Sequence, residues 1–91
     1  MKTIWKYPVL IMDEIWVYMP MGAEILDVQE QQGNICLWAL VDTDKPLVKR
    51  KFRVFGTGKP VDLDYDELTW EFIATVQNKH VVWHIFEEYK E

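Results

Sequence analysis

The stretch Ile35-Cys36-Leu37-Trp38-Ala39-Leu40-Val41-Asp42 decides the fold class. In an extended chain Ile35, Leu37, Ala39 and Val41 share one face, while Cys36, Trp38 and Leu40 share the other. A period of two with apolar residues on both faces marks a buried strand. Gln32-Gly33-Asn34, just before it, is a hairpin connection, so the preceding run pairs antiparallel with this one. That run, Ala23 to Glu30, sets Leu26 and Val28 on one face.

The same period extends outward in both directions. Trp5 and Tyr7 share a face of a short first strand that ends at Pro8. From Glu14 to Met19, Ile15, Val17 and Met19 alternate with Trp16 and Tyr18, and Pro20-Met21-Gly22 turns the chain. Thr43-Asp44-Lys45-Pro46 is a second turn, leading to a fifth strand from Val48 to Phe55. Val61 to Glu67 is acidic and irregular, with room for one helical turn. Trp70 to Gln77 and His80 to Glu87 form a closing hairpin about Asn78-Lys79, and Glu87 to Glu91 are expected to fray. The pattern predicts one all-β domain over residues 1–91. Its six or seven strands form a mainly antiparallel sheet or small barrel, with at most one short helical turn.

A chain of 91 residues buries only about 60–65% of its unfolded surface, so its core is small. Five Trp, four Tyr and four Phe exceed what such a core hides, which predicts exposed aromatics in a cleft or subunit interface. A homo-oligomer, dimer or tetramer, is expected. The net charge of −5 argues against binding duplex nucleic acid, which needs broad phosphate neutralisation. Cys36 is the single cysteine, so no internal disulfide forms and a reducing cytoplasm fits. No run approaches the ~20 apolar residues of a membrane helix, so no membrane partner is expected.

Charge is distributed unevenly. Lys45 to Lys59, K-P-L-V-K-R-K-F-R-V-F-G-T-G-K, holds six of the ten cations and no carboxylate. On a strand, Lys49, Lys51, Arg53 and Phe55 share one face and Val48, Arg50, Phe52 and Val54 the other, with Arg50 reaching out near its end. Gly56-Thr57-Gly58-Lys59 follows as a turn whose backbone N–H groups suit an anion. One reading is an edge strand guarded by lysine. The other is a ligand site: Arg53 and Lys51 on phosphate oxygens, Phe55 beside them, Gly56, Thr57, Gly58 and Lys59 as the nest, and Trp38 or Tyr7 stacking on bases.

Catalytic constellations are thin. Serine is absent, which removes Ser-His-Asp chemistry. Cys36 lies in an apolar strand where a thiol stays inert. His80 and His84, four apart on a strand, stand about 13 Å apart and cannot share a metal. Asp62-x-Asp64-x-Asp66 opens like a calcium loop, but Glu67 and Ile73 replace its glycine and bidentate glutamate. No enzyme, metal or cofactor is expected.

Ile4 to Pro8 (I-W-K-Y-P), Ile35 to Asp42, Phe52 to Pro60 (F-R-V-F-G-T-G-K-P) and H-V-V-W-H-I-F-E near the end resemble a family of small phage-encoded proteins. That family has about ninety residues and mostly no assigned function. It also resembles the phage anti-CBASS sponges, which withhold cyclic dinucleotides such as 3′3′-cGAMP from host defence effectors. The resemblance implies binding without turnover, a homo-oligomer and the host bacterial cytoplasm. The alternative from the residues themselves is an interaction module that grips a host protein by an edge strand or acidic surface.

Overall fold

The computed structural model describes residues 1–63 and 69–89. Seven strands follow one another: β1 (Lys2–Val9), β2 (Glu14–Pro20), β3 (Glu24–Gln31), β4 (Asn34–Asp42), β5 (Leu47–Gly56), β6 (Trp70–Asn78) and β7 (Val81–Glu88). They make two antiparallel sheets, in the orders β1-β4-β3 and β2-β5-β7-β6, that pack face to face. The barrel alternative is not realised, because each sheet keeps two free edges. No helix occurs among the described residues, and the helical turn expected within 61–67 falls largely on residues outside them.

The alternating strands account for the core. Ile35, Leu37, Ala39 and Val41 of β4 are almost completely buried, and they meet Phe52 and Val54 of β5 with Ile85 of β7. Burying each such side chain is worth about 1.5–3 kcal/mol, so this layer supplies most of the drive to fold. The β3–β4 turn is a two-residue one, Gln32-Gly33, with φ of 52° and 86°. Paired positive values match the twist of a tight hairpin.

Several boundaries differ from the sequence reading. β1 runs through Pro8 to Val9, because an edge strand tolerates a residue with no N–H on its open side. The last hairpin turns at Lys79-His80, so His80 is a turn residue and only His84 sits on a strand. Glu87 and Glu88 do not fray: both belong to β7, and Glu87 is 2% exposed. Most consequentially, β5 is an interior strand between β2 and β7. The guarded-edge reading of the basic stretch is therefore overturned, and its cations must find partners inside a sheet. No helix among the described residues is long and apolar enough to cross a membrane.

Candidate functional site

The cations of β5 divide between its two faces. Arg50 points between the sheets rather than out to solvent. Its guanidinium donates to both carboxylate oxygens of Glu87 and to the Ala23 carbonyl. On the outer face, each remaining cation meets a neighbouring strand. Lys49 Nζ lies 4.5 Å from the Trp16 ring centre. Lys51 bridges Glu14 of β2 at 3.3 Å and Glu88 of β7 at 3.5 Å. Arg53 donates from Nε to the Asp13 carbonyl at 2.9 Å and from Nη1 to Glu88 at 3.2 Å, and pairs with Asp62 through Nη2.

Where β2 begins, β5 runs on past it and leaves a notch of about 470 Å³. Phe55, Trp83 and Pro60 wall it, and Arg53, Lys59, Asp13 and Asp62 line it. The hydrogen-bond phase of β5 aims one more group there. Val54 N donates to Asp13 O, and Thr57 N donates across to Val82 O of β7. In an antiparallel ladder these directions alternate, so Gly56 N–H points away from β7 and into the notch. A Cβ on Gly56 would come within 3.4 Å of the Trp83 ring, so glycine lets that ring close the wall.

The structure thus gathers Arg53, Phe55, Gly56 and Lys59 of the expected ligand set. It separates the rest. Lys51 is one cross-strand row away and already bridges two carboxylates. Thr57 and Gly58 do not form an open nest. Thr57 N–H is used by Val82, Thr57 Oγ1 lies 2.7 Å from His84 Nε2, and Lys59 N–H closes onto Gly56 O. Trp38 and Tyr7 belong to the other sheet, Trp38 on its outer face and Tyr7 inward, so neither reaches Arg53 in one chain. Tyr7 Oη is buried without a hydrogen-bond partner among the described residues, and burial pushes its phenol above the ordinary value while Arg50 opposes that shift.

Trp83 is the notch residue that sequence reasoning missed. It alternates like a core residue, and only the Gly56–Trp83 pairing brings it to β5. The Glu88 carboxylate that balances Arg53 was also missed, since it lies 35 positions away. The Thr57–His84–Thr75 contacts put a hydroxyl on each imidazole nitrogen, at 2.7 and 3.0 Å. Among the described residues no carboxylate backs the ring as in a catalytic triad. Among the described residues no cluster of His, Cys, Asp and Glu could hold a metal ion. Asp64 and Asp66 of the calcium-like motif lie outside those residues.

The pattern of the whole chain, residues 1–91, matches the model of one family, Domain of unknown function (DUF7352). The chain belongs to this family. No curated protein and no solved structure matches it. In this DUF7352 domain the notch and the open edges of the sheets are the features that bear on function.

Proposed function

We propose that this DUF7352 domain is a non-catalytic binding protein whose notch holds a small anion bearing an aromatic ring. The cyclic dinucleotide class expected from the sequence resemblance, with the phage anti-CBASS sponge role it implies, fits that description. The observation that carries the reading is the convergence of Arg53, Lys59 and the inward-pointing Gly56 N–H against the Phe55 and Trp83 rings. Charge-assisted bonds from such donors contribute about 1.5–3 kcal/mol each, and ring stacking about 1–3 kcal/mol per base.

Arg53 is held by Glu88 from within the sheet and by Asp62 from the loop. The Asp62 side chain is 74% exposed, whereas that of Glu88 is 11% exposed. An incoming phosphate displaces Asp62 and leaves Glu88 to position the guanidinium. Lys59 has no carboxylate partner among the described residues and supplies the free charge.

The test is thermal melting against a panel of cyclic di- and trinucleotides, mononucleotides and buffer. A ligand that binds the folded form raises the midpoint, by about 2.7 kcal/mol of stability at a hundredfold excess over Kd. Lys59→Ala should lose that shift, and Asp62→Asn should enlarge it by removing the competing anion. A flat panel, with both variants folded, would end this reading.

A further inference from the structure

The two sheets end in four strands, β1 and β3 in one and β2 and β6 in the other. An edge strand exposes unpaired N–H and C=O groups, and proteins blunt it with charge, proline or a bulge. Three of these edges are blunted. β1 carries Lys2, Lys6 and Pro8. β3 carries Glu24, Asp27 and Glu30 and breaks register between Ile25 and Asp27. β6 carries Glu71 and breaks register between Phe72 and Ala74. β2 is regular from Glu14 to Pro20 and has one charged residue, Glu14. Its Trp16 is 48% exposed and its Tyr18 60%.

The phase of the β2 backbone follows from two bonds at its ends. Val54 N donates to Asp13 O at 3.3 Å, and Met21 N donates to Pro46 O at 2.8 Å. Given the Glu14–Arg53 and Pro20–Leu47 pairings, both bonds join directly opposed residues. Odd-numbered residues of β2 therefore bond β5, and Glu14, Trp16 and Tyr18 turn their N–H and C=O groups to the free side. Pro20 has the same phase but no N–H to offer.

We propose that β2 pairs with β2 of a second copy, antiparallel about a two-fold axis at Trp16, joining the four-stranded sheets into one. In that register Trp16 opposes Trp16, and Glu14 opposes Tyr18 on either side. Each of the three facing pairs exchanges two hydrogen bonds, and Pro20 stays outside the bonded segment. A two-fold axis requires one patch to complement itself, and this one does. Lys49, next to Tyr18 in the Tyr18–Lys49 pair, has no carboxylate partner among the described residues. Glu14 of the second copy arrives beside Tyr18, one strand from that lysine and within reach of its ammonium. The exposed Ile11 then faces the exposed Met21 of the second copy, with the exposed Met12 alongside, so apolar surface is covered on both. This inference is independent of the ligand proposal.

The test is sedimentation equilibrium over a wide concentration series, with three variants. The wild-type mass should move from 10.9 kDa toward twice that value. Trp16→Glu should raise the dimer dissociation constant by more than about tenfold with an unchanged circular dichroism spectrum, because the ring lies outside the core. Should that variant lose its fold, Tyr18→Lys replaces it with the same expectation. Trp16→Cys should give a disulfide-linked dimer on mild oxidation, since facing bonded residues have Cα atoms about 5.5 Å apart. Tyr18→Cys should not, its counterpart being about 13 Å away. A wild-type protein that stays at 10.9 kDa overturns the proposal. So does a dimer that survives Trp16→Glu, or one that Trp16→Cys fails to cross-link.

Discussion

The Arg50 guanidinium grips the buried Glu87 carboxylate with two hydrogen bonds, Nε to Oε2 at 2.6 Å and Nη2 to Oε1 at 2.7 Å. The pair lies between the sheets, with Arg50 also closing on the Ala23 carbonyl at 2.6 Å. One contact thus ties β5 to β7 and to the start of β3. Glu87 holds the guanidinium of Arg50 above its already high ordinary pKa, so Arg50 stays charged throughout the working pH range.

Removing one member strands the other. Arg50→Ala should cost about 3–5 kcal/mol, because a nearly solvent-free carboxylate is left uncompensated. Replacing both, as Arg50→Met with Glu87→Leu, should recover most of that loss. Urea midpoints of the two variants against wild type check it, and a single variant within about 1 kcal/mol of wild type would show that water reaches the site.

Arg53 is structural as well as a candidate ligand contact. It joins Asp13 at the start of β2 to Glu88 of β7, and its side chain is 9% exposed. Arg53→Ala should therefore lower stability by about 3 kcal/mol rather than leave the fold intact. Chemical denaturation without ligand measures this. Lys59, exposed and without a carboxylate partner among the described residues, is the cleaner probe of anion binding.

Alkaline pH should weaken the fold. Burial, and then the negative charge of Glu87, push the Tyr89 phenol well above its ordinary 10.0, and burial raises that of Tyr7. Folded chains thus hold these protons more tightly than unfolded ones. The stability they contribute is full below pH 10 and falls as pH rises above it toward the folded values. Tyr89→Phe should flatten that fall, which urea midpoints on either side of pH 10 would reveal.

The β3–β4 turn offers a gain. Gln32 sits at φ 52°, a left-handed conformation that asparagine and glycine adopt more readily. Gln32→Asn should add about 0.5–1 kcal/mol by giving the turn its preferred Asn-Gly pair. A melting midpoint equal to or below that of wild type would count against it.

Much of this fold was written in local pattern. Strict alternation from Ile35 to Val41, with Gln32-Gly33 before it, determines a two-sided buried strand and its hairpin, because period and turn geometry are properties of neighbouring residues. The same holds for the all-β class and for the inward set Phe52, Val54 and Ile85. Which strands lie beside one another was not legible, because pairing across tens of residues is decided by how two sheets bury their apolar faces together. That choice made β5 an interior strand, and interior cations acquire partners: Glu87 for Arg50, Glu14 and Glu88 for Lys51, Asp62 and Glu88 for Arg53. It also sent Trp38 and Tyr7 to the other sheet and brought Trp83 to Gly56. The sequence alone determined which residues are apolar, charged or turn-forming. Only the tertiary structure decided which charges are neutralised and which edge stays open, because burial and neighbourhood are set by the assembled sheets.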